Sequence, residues 1–318
     1  MTQVRELRAD APVADRARLA PGRARLVEAA VTARRSRVTW GRRPLVIAAV
    51  FAAVTAVVVT ATLLVQAHRG EREGTPAVAP GLDLKGMSVR EFLEFAARTV
   101  EEQPPVAEPR AEQWIYAKET QEGDDDADFA LEKWLRYDGA ELASYPRPGA
   151  EDPGDLETTE LNLEGLGDEY DDRSPRQMYR FLSTLPSDGE GALKALREEN
   201  ALVDDKNLTQ AGNDYTEISV LLDAYVQPPD GLAGLYRALA TMPGGKLVDH
   251  LVQDEAGQYA VAIRFPEPGG EGAERADEWL LDPVTFEVVG ERTVEDGEVV
   301  GGNAYVVKAV VNEAGRRP

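Results

Sequence analysis

DEWLLDPVTFEVVGERTV, residues 277–294, consists of two runs of apolar and branched residues separated by the turn-forming pair Asp282-Pro283. Alternation of apolar and polar positions within such runs is typical of strands that bury one face. Similar runs precede it at Lys246–Gln253 and Gln258–Phe265, and another follows at Ala304–Val311. Short connections between neighbouring strands favour antiparallel pairing, so this part of the chain predicts a β-meander.

The residues before the meander predict helices. Ser88 and Glu91 form a capping box that opens a helix to about Val100. Further helices are expected at Pro175–Leu185, at Gly189–Asn200, from a second capping box at Asp214–Glu217 through Tyr225, and at Leu232–Met242. Earlier still, Gln113–Thr120 and Leu131–Tyr137 have the composition of strands. Strands, helices and strands in this order predict an α+β fold in which an antiparallel β-meander packs against helices.

Residues 44–67 form an uninterrupted apolar segment of 24 residues without a charged side chain. A helix needs roughly 20 apolar residues to cross a bilayer, so the segment predicts a transmembrane helix. Six Arg residues lie in the twenty positions before it, against two Arg and one Lys in the twenty after it. The positive-inside rule therefore places the N-terminus in the cytoplasm and the following domain outside, in the plasma membrane.

A cleaved signal peptide is the alternative to this anchor. Val65-Gln66-Ala67 fits a small-residue cleavage site, and Arg34-Arg35 resembles a twin-arginine pair. The apolar core of a signal peptide is usually only about 7–15 residues long. The length of this segment favours an uncleaved anchor.

The predicted organisation has four parts. They are a basic cytoplasmic segment (1–43), the transmembrane helix (44–67), a linker rich in Gly, Pro and charge (68–86) and an extracytoplasmic domain (87–318) with an acidic insertion at 146–172. Residues 1–43 carry eleven Arg and four acidic residues, whereas the whole chain has a net charge of −22. The acidic domain would repel phosphate groups, which argues against nucleic-acid binding.

No familiar catalytic, cofactor or metal motif occurs in the sequence, and there is no cysteine. His250 falls within an expected strand, where neighbouring side chains point to opposite faces, so Asp249 is not expected to orient it. The acidic runs 124–128 and 168–172 lack the glycine and the distant glutamate of an EF-hand. The sequence thus predicts neither an enzyme nor a bound cofactor or metal ion.

Aromatic residues in strands and helices are the candidates for lining a ligand cavity, and ordinary core packing is the alternative role for each. They are Trp114, Tyr116, Trp134, Tyr225, Tyr236 and Trp279.

Three stretches resemble a family of actinobacterial single-pass membrane proteins of uncharacterised function. They are VRELRADAP with RARLAPGRARLVEAA (4–30), the strands around Trp114 and Trp134, and LYRALATMPG (235–244) with residues 277–294. The resemblance covers most of the chain and supplies no catalytic residues. Because members are often encoded near a sigma factor, it implies a regulatory role.

The meander also resembles the half-barrel of lipoprotein-carrier and envelope-sensor domains, through the Asp282-Pro283-Val284-Thr285 turn between two strands. That resemblance implies an apolar cavity under helices and a lipid-like ligand, although a fold does not fix a function.

The expected function is a non-enzymatic, membrane-anchored domain that binds an envelope lipid or protein and acts as a sensor or regulator. An extracytoplasmic hydrolase that uses carboxylates is one alternative. A sigma-factor-linked regulator that binds a cytoplasmic protein through residues 1–43 is another.

Overall fold

The computed structural model describes residues 79, 82–121, 129–145, 155–163, 173–199, 202, 204–269 and 275–318. The expected cytoplasmic segment, the expected span and most of the expected linker lie outside these residues. Within the described part of the chain, no helix has the length and apolarity required to cross a bilayer.

The described residues form helices and antiparallel strands, which confirms the α+β class. The helices are α1 (Val89–Glu101), α2 (Pro175–Thr184), α3 (Gly189–Glu198), α4 (Gln210–Leu222) and α5 (Pro229–Leu239). The strands are β1 (Trp114–Gln121), β2 (Phe129–Arg136), β3 (Glu141–Ser144), β4 (Glu157–Glu160), β5 (Lys246–Leu247), β6 (Val252–Gln253), β7 (Tyr259–Pro266), β8 (Arg275–Leu281), β9 (Val288–Glu295) and β10 (Glu298–Val311).

One antiparallel sheet contains these strands in the order β4-β3-β2-β1-β10-β9-β8-β7-β5, with β6 also paired to β7. β1 to β4 form one meander and β7 to β10 form another. The two meanders are joined where β1 pairs with β10. The last strand therefore lies in the middle of the sheet, beside the first.

Side chains cap the first turns of α1 to α4, whereas α5 begins after Pro228 without a side-chain cap, and the cap of α4 differs from the prediction. Ser88 forms the predicted capping box with Glu91. α4 begins one turn before the predicted box, with the Thr209 hydroxyl accepting a hydrogen bond from Gly212 N at 3.1 Å. Asp214 lies inside that helix, buried, and it accepts bonds of 2.9 and 2.6 Å from Arg197. The pattern predicted a cap because it could not show that Arg197 neutralises Asp214.

The predicted strand at 246–253 is two short strands. Leu247 pairs with Ile263 and Val252 pairs with Ala260. Leu247 and Val252 are five residues apart in the chain, whereas their partners in β7 are only three residues apart. The two extra residues cannot stay in register. The chain bends at Asp249 and His250, which interrupts the strand.

The predicted acidic insertion contains β4, which the sequence did not indicate. Its residues Glu157–Glu160 are all exposed and pair with β3 at the edge of the sheet. A short, charged edge strand of this kind resists pairing with other chains. Residues 146–154 and 164–172 of the insertion lie outside the described residues.

The helices pack on one face of the sheet. The main hydrophobic cluster combines residues of all five helices with Val261, Ile263, Trp279 and Leu281 of β7 and β8. α5 is central, and its Gly231 lies so close to α2 that an added Cβ would be 2.4 Å from the Leu182 carbonyl oxygen. The close approach of the two helices therefore depends on this glycine.

Candidate functional site

The six predicted lining residues lie on both faces of the sheet. Trp114, Tyr116 and Trp134 are on the outer face, where Tyr116 and Trp134 are cross-strand partners in a cluster that contains no helix residue. Trp279 and Tyr236 belong to the main cluster on the helix side. Alternation along a strand separates the two groups. The structure therefore does not bring all six residues to one cavity.

The helix-side members have core environments. Tyr236 is fully buried in α5 and donates a hydrogen bond to the Phe286 carbonyl oxygen. The Trp279 indole donates to the Tyr215 hydroxyl at 3.1 Å. Tyr225, just after α4, is 1% exposed and lies beside a group of charged side chains. Of the six residues, Tyr225 leads to the candidate site.

Charged residues occupy the helix-facing side of β1, β2 and β10, on the same face of the sheet as the apolar residues Ile115 and Leu135. We call the group the polar cluster; it consists of Glu119, Lys133, Asp223, Tyr225, Tyr305 and Lys308. Most of a domain interior is apolar because a buried charge is costly unless it is paired. A buried group of this size therefore requires partners, and its members provide them.

The first pair in the polar cluster joins β1 and β2. The Lys133 ammonium lies 2.5 Å from Glu119 Oε1. Lys133 is opposite Ala117 and Glu119 is opposite Leu131, so the two side chains are diagonal neighbours on one face. Glu119 is 3% exposed and the Lys133 side chain 22%, which places the lysine nearer to solvent.

The second pair joins the sheet to the helix layer. Asp223 follows α4, and its Oδ1 accepts a 2.5 Å hydrogen bond from the Tyr305 hydroxyl of β10. A bulge in β10 beside Glu119 shifts the register and sets Tyr305 opposite that carboxylate. The Lys308 ammonium lies 4.0 Å from the centre of the Tyr305 ring and donates to the Val288 carbonyl oxygen at 3.3 Å.

The environment of these groups shifts their pKa values. Burial raises the pKa of the Asp223 carboxyl to about 6, although the Tyr305 hydrogen bond and the nearby Lys308 and Lys133 oppose the change. Burial also raises the pKa of the Tyr225 and Tyr305 hydroxyls. Burial alone would lower the pKa of Lys133, but Tyr225 and Glu119 raise it above the ordinary value. The polar cluster thus holds one carboxyl that titrates close to neutral pH.

This arrangement has two chemical capabilities. Ammonium and hydroxyl donors within an otherwise apolar region can orient the polar head of an amphiphilic ligand. A carboxyl with a pKa near 6 can also act as a general acid or base. No group of three or more metal-ligating side chains is present among the described residues.

The only two histidines of the chain are His68 and His250, and His250 differs from its prediction. Its Nδ1 lies 2.8 Å from Asp249 Oδ1, and about two thirds of each side chain is exposed. The expectation that Asp249 cannot orient His250 was wrong, because the two residues occupy a bend rather than a strand. The acidic runs 124–128 and 168–172 lie outside the described residues.

The charged members of the polar cluster were not among the predicted site residues, although the sequence contains a signal for two of them. Lys133 lies on the same face of β2 as Leu131 and Leu135, because alternate residues of a strand share a face. Likewise, Glu119 lies on the same face of β1 as Ile115 and Ala117. A charged residue on the otherwise apolar face of a strand indicates a buried partner of opposite charge. Asp223 carries no such signal, because it lies in an irregular connection.

No protein-family model, no curated protein and no solved structure matches this chain.

Proposed function

We propose that this chain is a non-enzymatic sensor of the cell envelope, anchored by residues 44–67, whose outer domain binds an amphiphilic envelope molecule. The single observation that carries the binding role is the polar cluster beside the apolar helix-side core. Polar groups within apolar surroundings are the usual composition of a site for such a ligand.

The chemistry of the polar cluster favours a ligand with an acidic or hydroxylated head group. Lys133 and Lys308 supply ammonium groups, and the phenols of Tyr225 and Tyr305 can donate hydrogen bonds. Protonation of Asp223 removes one negative charge near pH 6. The polar cluster is then more favourable to an anion than the acidic domain as a whole.

The membrane part of the proposal rests on the sequence. The uncharged 24-residue segment and the arginines before it support an anchor with residues 1–43 in the cytoplasm. That basic segment would pass the signal to a cytoplasmic protein, and the family resemblance suggests a sigma factor. Retention of a sigma factor by residues 1–43 on an affinity column would support this step, and no retention would contradict it.

The ligand is tested by solvent extraction of the full chain, purified from an actinobacterium in mild detergent, and mass spectrometry of the extract. The Glu119→Gln/Lys133→Met double variant removes both charges of a buried ion pair, so neither partner is left charged without the other. The matched control is Lys194→Met/Glu198→Gln, which removes an exposed ion pair of 3.7 Å on α3. We expect one amphiphile in the wild type and the control, and its loss from the polar-cluster variant.

A carboxylate hydrolase is the second candidate, because the pKa of Asp223 is raised to about 6. Turnover of a labelled envelope substrate that disappears in Asp223→Asn would establish this function in place of simple binding. Bound amphiphile without turnover would support the sensor.

A further inference from the structure

The outer face of the first meander carries an aromatic surface on the side of the sheet opposite the helices. We call it the aromatic cradle and define it by Trp114, Tyr116, Trp134 and Tyr145. The Tyr116 and Trp134 rings are 5.0 Å apart, and the Trp134 and Tyr145 rings are 5.8 Å apart. Such a surface is typical of sites that bind extended peptides.

The aromatic cradle is occupied by residues 312–318 of the same chain. β10 ends at Val311, and residues 312–318, NEAGRRP, continue without helix or strand. The Trp134 indole donates a 2.7 Å hydrogen bond to the Arg316 carbonyl oxygen. Trp134 is fully buried, with Ala314 packed against the same cluster.

The next residue of the tail makes the specific contacts. Arg317 donates from Nε to Glu132 Oε2 at 2.8 Å, and its Nη2 is 2.6 Å from the same atom. Its guanidinium also lies 5.9 Å from the centre of the Tyr145 ring. A carboxylate and an aromatic ring together select arginine over lysine. The surface therefore contacts one backbone carbonyl and one arginine that follow a turn between Glu313 and Arg316.

These contacts are suited to exchange. The Arg317 side chain is 56% exposed, and ion pairs of such exposure contribute little to stability. A tail attached directly to β10 stays in place chiefly through its high local concentration, which for short tethers is about millimolar. A free peptide with the same chemistry would then compete with it.

We propose that the aromatic cradle is a docking site for an arginine-containing peptide of an envelope protein, and that the tail formed by residues 312–318 is its intramolecular competitor. The partner is expected to be basic, because the residues beyond Arg43 include 53 acidic and 24 basic side chains. Docking would expose the tail. This site lies on the opposite face from the polar cluster, so either proposal can fail without the other.

The experiment measures binding of a labelled peptide of residues 312–318 by fluorescence anisotropy to the full chain and to the chain lacking residues 313–318. Asn312 is kept because its side chain accepts a 3.2 Å hydrogen bond from Gln113. We expect the shortened chain to bind the peptide about tenfold more tightly than the intact chain, because the competitor is gone. In case the deletion prevents folding, Arg317→Glu in the full chain displaces the tail by repulsion from Glu132.

Two peptide variants give a matched control. Arg317→Ala in the peptide removes the contacting guanidinium and should weaken binding severalfold, whereas Arg316→Ala removes the same charge and should leave binding unchanged, since Arg316 binds through its carbonyl. Equal weakening by both changes would overturn the proposal, because it would indicate charge attraction alone. The proposal would also be overturned if the variants with a displaced tail fold but do not bind the peptide. Exchange of tails between two copies of the intact chain in a dimer would overturn it as well.

Discussion

The Tyr305 hydroxyl of β10 donates a 2.5 Å hydrogen bond to Asp223, the residue that follows α4. This bond connects the central strand of the sheet to the helix layer at the polar cluster. Because Asp223 is 7% exposed, its charged form loses hydration that the Tyr305 hydrogen bond and the nearby Lys308 and Lys133 only partly replace. The bond therefore links the protonation state of one carboxyl to the contact between the two layers.

The first prediction concerns the pH dependence of folding stability. The pKa of Asp223 is raised from 3.8 to about 6 in the folded chain, so this residue contributes stability below pH 3.8 that is lost as pH rises through 6. Relative to Asp223→Asn, the free energy of unfolding of the wild type should fall by up to ~3 kcal/mol between about pH 4 and about pH 7.5. Urea denaturation at both pH values measures this difference.

Asp230→Asn is the control, since Asp230 is an exposed acidic residue in α5. Relative to this variant, the wild type should show no comparable fall with pH. If the difference between the wild type and Asp223→Asn is the same at both pH values, the raised pKa is incorrect.

The second prediction concerns the Lys133–Glu119 pair. Lys133→Met alone leaves Glu119 buried without its ammonium and should cost ~3–5 kcal/mol of the free energy of unfolding. Adding Glu119→Gln should recover part of that loss, because the unpaired charge is removed. The equivalent changes at the exposed Lys194 and Glu198 should stay within ~0.5 kcal/mol. Denaturation of the four variants of each cycle gives the coupling energies, and equal couplings would contradict the burial argument.

The third prediction concerns the contact between α5 and α2. Gly231→Ala forces the added Cβ against the Leu182 carbonyl oxygen and should destabilise the chain by ~1–3 kcal/mol. Gly212 of α4 has room for a Cβ, with its nearest neighbours at 3.4 Å. Gly212→Ala should therefore stabilise by ~0.5–1 kcal/mol, since alanine favours helix. A thermal unfolding curve of Gly231→Ala that is unchanged or shifted to higher temperature would show that the helix contact is not tight.

The fourth prediction concerns the orientation in the membrane, and the absence of cysteine makes it simple to test. Val284 is 43% exposed in the turn before β9, so Val284→Cys should react with an impermeant maleimide in intact cells. Ser36→Cys in the basic segment should react only after lysis. Labelling of both in intact cells, or of the second alone, would contradict the proposed topology.

The structure agrees with the predictions where short-range patterns in the sequence determine an element. The alternation in 277–294 and the Ser88 cap correspond to β8, β9 and the start of α1. The predictions were wrong where a residue distant in sequence determines the local structure. The register of β7 splits 246–253 into two strands, and Arg197 allows Asp214 to lie inside α4.

The same contrast between local and distant determinants explains which residues of the candidate site could be predicted. Aromatic residues can be found in a sequence, but the face that each occupies follows from strand pairing, so Trp134 and Trp279 were grouped although they lie on opposite faces. Asp223 and Tyr305 are 82 residues apart and meet only in the folded chain. No pattern within either segment indicates the other.

A native mass spectrum of the intact chain, released from detergent in the spectrometer, tests whether the polar cluster binds an amphiphile. We expect the mass of the chain plus one amphiphile, and the mass of the chain alone for Glu119→Gln/Lys133→Met. A wild-type chain that is folded and carries no added mass, or equal occupancy in the two proteins, would contradict ligand binding at the polar cluster.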